Sequence, residues 1–295
     1  MKRSIIYGIL GLGAACGLMA QQAQQPAQAP AAAPAQSATP IAKQPQPKSK
    51  GEVEALQAMF GAQDPDSRIK AADNLVTKFA DTEFKAIALF FAAASYEQKG
   101  DFEKVILYGE RTLEADPKNY SAMLMLARNI AQRTREFDLD REEKLAKVAK
   151  YVKDAQEAIN TAPKPNPSLT DEQWAGAKKD LSAQGHEALG MAAMARKQYD
   201  VAANEFKTSS EMASQVDPAT LVRLGAAYNL AGKPDLAIPV LDKVLAMPDA
   251  HPTVKQFAQA EKVRATQAKA GGAKPAAAPA PAATVQPGTV EVKKP

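Results

Sequence analysis

The residues able to do chemistry in this chain are few and far apart. It holds two histidines, His186 and His251, and one cysteine, Cys16. Covalent catalysis needs a nucleophile beside a base, metal chemistry needs a ligand cluster, and phosphoryl transfer needs a glycine-rich cradle. No HExxH, CxxC or GxSxG spacing occurs, and the glycines of residues 8–13 sit in an apolar leader. His186 takes a helix-face position suited to packing. His251 precedes Pro252, where a helix start gives it a capping or exposed place. The acids of residues 138–143 suit a helix N-terminus, whose backbone N–H groups favour negative charge. The expectation is a chain with no catalytic residue, no metal and no cofactor.

What the sequence offers instead is apolar periodicity on short helices. In residues 221–249, Leu221, Leu224, Gly225 and Tyr228 recur at helical spacing, a break follows at Gly232 to Pro234, and Ala237, Leu241, Val244 and Leu245 resume it. Two amphipathic helices in a hairpin follow from this pattern. Gly225 lets a neighbouring helix cross close to the backbone, and Gly232 supplies a left-handed C-cap. Leu89, Ala93, Tyr96, Gly100, Phe102, Val105, Leu113 and Pro117 repeat the pattern, with Gly109 where a bulky residue is expected. His186, Leu189, Gly190, Tyr199, Ala202 and Phe206 repeat it again, and weaker copies carry Met123, Leu126, Ala127 and Ile130, then Ala71 and Leu75.

These residues resemble the tetratricopeptide repeat (TPR), a helix-turn-helix unit of about 34 residues. The resemblance implies an all-α, TPR-like helix-turn-helix solenoid over residues 51–250, with repeats near 52–85, 86–119, 120–163, 183–217 and 218–249. It also implies a non-enzymatic scaffold for protein–protein interaction. Residues 251–270, with Val254, Phe257 and Ala258 on one face, are expected to form the terminal helix that covers the end of such a stack.

Two helices are too long for the repeat. The apolar face of Leu145, Val148, Val152, Ala155 and Ile159 runs through residues 140–161, and the next helix begins at a capping box of Thr170 and Gln173, with Leu169 able to pack on Trp174. Residues 151–183 are therefore expected to project from the solenoid as a helical hairpin, by about 12–18 Å at roughly 1.5 Å per residue. On that reading, deleting the hairpin leaves the remaining helices folded.

In the resembled family the first helix of each repeat lines a concave groove. Its lining positions fall here on Ile87, Phe90, Glu97 and Gln98; on Leu124, Arg128 and Gln132; on Glu187, Met191 and Met194; and on Val222, Asn229 and Leu230. A subfamily that grips chain-terminal carboxylates uses Lys, Asn and Arg at such places, and Arg128 and Asn229 alone approach that set. A largely apolar groove with adaptable methionines suits a helix or an apolar peptide of a partner protein. The same residues could equally be buried against their own neighbouring helices.

The termini carry a different composition. Residues 1–20 read as a bacterial secretory leader: Lys2 and Arg3, an apolar run, then small residues. Cleavage after Ala20 gives a soluble exported protein. Lipidation at Cys16 gives a membrane-tethered assembly factor, and an uncleaved anchor is the third outcome. The expected location is the periplasm or cell envelope, with membrane association through the N-terminus in the second and third cases. Residues 21–50 and 271–295, rich in Ala and Pro, read as disordered arms. The formal net charge is +4, but removing the eight basic residues and one acidic residue of these termini from 37 and 33 leaves 29 against 32. A core near −3 argues against nucleic acid as a partner, and a lone cysteine excludes an internal disulfide.

Overall fold

The computed structural model describes residues 44–271, which form eleven α-helices and no strand. They are α1 (Lys50–Gly61), α2 (Pro65–Lys78), α3 (Lys85–Lys99), α4 (Phe102–Ala115), α5 (Tyr120–Arg133), α6 (Arg141–Thr161), α7 (Asp171–Ala195), α8 (Tyr199–Met212), α9 (Pro218–Leu230), α10 (Pro234–Ala246) and α11 (Pro252–Lys269). Helices pair α1 with α2, α3 with α4, α5 with α6, α7 with α8 and α9 with α10, and each pair packs on the next. Local chemistry fixes the boundaries. Asp64, Asn119 and Asp217 cap α2, α5 and α9 by accepting backbone N–H bonds, and Pro65, Pro218, Pro234 and Pro252 stand at the starts of their helices. Thr170 and Gln173 make the expected capping box at α7, and His251 caps α11 through Nδ1.

The core runs along the stack. One cluster centres on Met59, Leu75, Leu89 and Val105, and a larger one joins α5 to α11 through Leu145, Val148, Phe206, Leu224 and Leu241. Burying a side chain such as Phe206 or Leu241, both fully enclosed, stabilises by about 1.5–3 kcal/mol. Small residues set how closely the paired helices approach. A Cβ on Gly190 would lie 2.6 Å from the Phe206 ring, and one on Gly225 would lie 2.6 Å from Leu241. Gly109 departs from the repeat pattern because the space of its missing side chain is filled from the next repeat: Leu126 of α5 comes within 2.7 Å of where a Cβ would be.

Along one edge of the stack, a cation at or just past the end of a helix reaches back to the start of the second helix of the preceding pair, or to the turn before it. Lys99 pairs with Asp66, Lys197 with Glu136, Lys233 with Asp200 and Lys269 with Asp235. In the remaining case Arg133 stacks on the Phe102 ring at 4.3 Å. Exposed pairs of this kind contribute little energy, but the recurring register ties neighbouring units.

The two long helices are present, at 21 and 25 residues. Their relation to the solenoid differs from a free projection. Ala155 and Ile159 are buried on Met123 and Leu124 of α5, and Leu113, Tyr120, Tyr151 and Leu181 close over them. The base of the hairpin is therefore core, because its inner stripe stays apolar for as long as α5 runs beside it. At the tip, Trp174 is 4% exposed and its Nε1 donates to the carbonyl of Ala162 at 3.3 Å, while Lys178 reaches the carbonyl of Asn160.

Two further details depart from expectation. Residues 44–49, read from composition as part of a disordered arm, are held in place: Gln44 donates to the carbonyl of Pro165, Lys48 pairs with Asp81 at 2.9 Å, and Ser49 caps α1. The backbone N–H of Lys48 and the Thr82 hydroxyl both donate to the buried carboxylate of Glu52, and that satisfied acid is what fixes the segment. On α11, Ala258 and Ala265 face inward and Val254 packs on the core, whereas Phe257 is 45% exposed and lies off that face. The expected leader with Cys16 as a possible lipidation site, residues 21–43 of the expected disordered arm, and the expected tail from residue 272 lie outside the described residues.

Candidate functional site

The wall expected to bind a partner is built by α3, α5, α7 and α9. The structure sorts its residues into two groups. Leu124, Met191 and Asn229 are buried, at 4%, 8% and 5% exposure. They are closed off from any ligand in this conformation, and for them the groove assignment is corrected. Leu124 packs beneath the α6–α7 hairpin, Met191 joins the main core, and Asn229 is covered by α11. Ile87, Phe90, Arg128, Met194, Val222 and Leu230 are half-buried. Of these, Ile87 and Phe90 lean on the N-terminal cluster, and Met194 and Val222 on the larger one.

Between the apolar residues the wall is laced by polar bridges from one first helix to the next. Arg128 of α5 donates to both carboxylate oxygens of Glu97 on α3, at 2.7 and 2.8 Å, and Asn129 adds a bond of 2.6 Å. Arg223 of α9 donates to Glu187 of α7 at 2.6 Å. Asn229 donates to the backbone carbonyl and the carboxylate of Glu261 on α11, both at 2.9 Å. Arg128 and Asn229, the two residues closest to a carboxylate-gripping set, are thus engaged by acids of the protein itself. A terminal carboxylate arriving at this wall would have to displace Glu97 or Glu261. The bridges span helices about 30 residues apart in sequence, a separation at which periodicity marks the positions but not their partners.

The two histidines lie far apart, each in a local contact. His186 of α7 lies 2.7 Å from Glu205 of α8 through Nδ1, and it is half-buried in the seam between the paired helices. Among the described residues no group of three or more His, Cys, Asp or Glu is placed to hold a metal ion. Among the same residues no helix is long and apolar enough to cross a membrane. The strongest perturbation of a titratable group falls on Tyr108. Burial pushes its hydroxyl well above the ordinary tyrosine range, and its hydrogen bond to Asp73 at 2.9 Å adds to the shift. It ties α4 to α2 and has no reactive neighbour.

Comparison with known proteins agrees with this architecture. Among solved structures the chain is similar to a thermophilic TPR protein of Thermus thermophilus, with 15% sequence identity and a TM-score of 0.50, covering 72% of this chain and 99% of that one. No family profile and no curated protein matches the chain. The fold is therefore an all-α, TPR-like solenoid.

Proposed function

We propose that the protein is a non-enzymatic scaffold that binds a helix or peptide of a partner protein along the wall of first helices. One observation carries this reading. Half-buried Ile87, Phe90, Met194, Val222 and Leu230 recur along α3, α7 and α9, and the charges beside them are already satisfied by the Glu97–Arg128 and Glu187–Arg223 pairs. Such a surface offers apolar area without a desolvated, unpaired charge, which suits the apolar stripe of an amphipathic segment better than an acidic chain terminus. The test is co-purification with a crosslinked partner from envelope extract. Phe90→Glu and Val222→Glu should abolish recovery of the partner, while Leu107→Glu, on an exposed position of α4, should leave it unchanged. Equal recovery by all three variants would overturn the assignment of the wall.

The reading includes export. Lys2, Arg3 and the apolar run of residues 5–15 support a secretory leader, and so an envelope location. A chain beginning at Gln21 in the soluble envelope fraction is the expected product. An acylated Cys16 at the N-terminus would instead make the scaffold a membrane-tethered assembly factor, and intact mass distinguishes the two.

A further inference from the structure

The turn between α5 and α6 is unlike the others. Residues 134–140 form it, whereas the other turns inside a helix pair use two or three residues. It presents two large apolar side chains to solvent, Phe137 at 89% and Leu139 at 107% exposure, the most exposed large apolar residues among those described. This exposure is held by bracing. The N–H of Asp138 donates to the carbonyl of Arg135, the N–H of Arg141 donates to the carbonyl of Asp138, and the Asp138 carboxylate accepts from the N–H of Arg135 at 3.1 Å. That bond first, and then Lys144, holds the Asp138 carboxyl below the usual carboxylate range.

Four acids around the two apolar residues are paired within the protein. Glu136 pairs with Lys197, Asp138 and Asp140 both pair with Lys144, and Glu142 pairs with Arg196 and Arg141. Lys197 is also the one non-glycine residue with positive φ among those described, at 60°. The equivalent caps after α3 and α9 are Gly100 and Gly232, both at 72°. A lysine in the left-handed region is strained where glycine is not, and strain of this sort persists where it does something. Here the strained residue's ammonium fixes Glu136, next to Phe137.

We infer that the 134–140 turn is a rigid apolar knuckle that inserts Phe137 and Leu139 into the interfacial layer of a lipid bilayer. Two side chains standing almost wholly in solvent suit a soft surface that needs no matching pocket. The internally paired rim suits a zwitterionic surface, because it neither repels phosphate nor depends on anionic lipid. Two side chains give fast, reversible binding, which becomes stable when combined with a second anchor. This inference does not depend on the leader or on Cys16.

The experiment uses the chain from Gln21 onward, which keeps every described helix and lacks both the apolar leader and the single cysteine. Leu139→Cys carries an environment-sensitive fluorophore, and Leu107→Cys is the control. With phosphatidylcholine vesicles, and equally with vesicles containing phosphatidylglycerol, emission at position 139 should rise and shift to the blue while that at 107 stays constant. Flotation of the unlabelled chain should fall about tenfold or more on changing Phe137→Ser and Leu139→Ser together, and persist in high salt. Lys197→Gly should keep the fold and weaken flotation through a loosened turn. No response to either vesicle, or a response confined to anionic vesicles, overturns the inference. So does a position-139 probe already shielded without lipid. If removing residues 272–295 then exposes it, the tail is the occupant; if dilution does, a second copy is. Shielding by a protein extract but not by vesicles assigns the knuckle to a protein partner and equally rejects the bilayer.

Discussion

The same substitution, glycine to alanine, should have opposite signs at two helical positions. At Gly225 an added Cβ would lie 2.6 and 2.7 Å from Cδ2 and Cγ of Leu241, about 1 Å inside the ordinary carbon–carbon contact of roughly 3.5–4.0 Å. Leu241 cannot swing away, since it is fully buried alongside Ala237 and Val244 in the same core. Overpacking of this kind costs about 1–3 kcal/mol, against a gain of about 0.5–1 kcal/mol from replacing glycine inside a helix. Gly225→Ala should therefore destabilise by about 0.5–2 kcal/mol. At Gly176, in α7, an added Cβ meets nothing within 4 Å, so Gly176→Ala should stabilise by about 0.5–1 kcal/mol. Leu241→Ala alone should cost about 2–5 kcal/mol. Combined with Gly225→Ala it should cost less than the sum, because the new methyl occupies part of the space left behind. Urea unfolding followed by circular dichroism gives the totals. Hydrogen exchange in α9 and α10 localises them, as a solenoid can unfold unit by unit. If Gly225→Ala stabilises as much as Gly176→Ala, the close crossing of α9 and α10 is wrong.

Three further outcomes are expected. Ile159→Ala, at a residue 1% exposed, should cost about 2–5 kcal/mol, and removing residues 151–183 should increase hydrogen exchange in α5; unchanged exchange there would restore a free-standing hairpin. Tyr108 should be the last of the described tyrosines to ionise in an absorbance titration, since its folded-state pKa is raised furthest above the ordinary 10.0, beyond those of Tyr120 and Tyr151. Its contribution to stability is fully present below that ordinary value and is lost as pH rises through the folded one, so Tyr108→Phe should flatten the alkaline loss of stability; an unaltered alkaline limb would count against the Asp73 contact. A double-mutant cycle between Glu97 and Arg128, whose side chains are 19% and 31% exposed, should show coupling of about 1 kcal/mol, and zero coupling would mean that the α3–α5 bridge is absent in solution.

How much of this was legible in the sequence follows from what periodicity encodes. Among the residues whose spacing carries the repeat, Leu89, Phe206, Gly225 and Leu241 are buried in the core, because one apolar stripe per helix is what a stacked helix pair demands. The groove was less legible. Repeat register places Leu124, Met191 and Asn229 on the lining, but their burial depends on what the neighbouring helix does, and at Leu124 that neighbour is the extended hairpin. The bridges from Glu97 to Arg128 and from Glu187 to Arg223 were invisible as pairs, since each acid has several candidate cations at comparable separation. The placing of residues 44–49 was missed because its signal is a single buried acid, Glu52, answered by Thr82 in a distant loop.

The departures from the repeat are not spread evenly. The long α5–α6 turn, the extra length of α6 and α7, and the strained Lys197 all belong to the two adjoining pairs α5–α6 and α7–α8. Excess chain emerges at both ends of α6: the braced apolar turn at one edge, and at the other the hairpin tip, where Pro165 meets Gln44. A scaffold whose units differed only by drift would distribute such changes among its repeats. Concentrating the changes of helix and turn length in the middle leaves α3–α4 and α9–α10 as flanking pairs of regular length, with Gly109 the local exception. On the two proposals made above, that arrangement separates the work physically, with the wall of first helices taking the partner segment and the elaborated centre presenting a second surface at its turn. Substitutions at Phe90 or Val222 should therefore leave vesicle association intact, and Phe137→Ser with Leu139→Ser should leave partner capture intact. Loss of both activities from either set would show that the two surfaces are one.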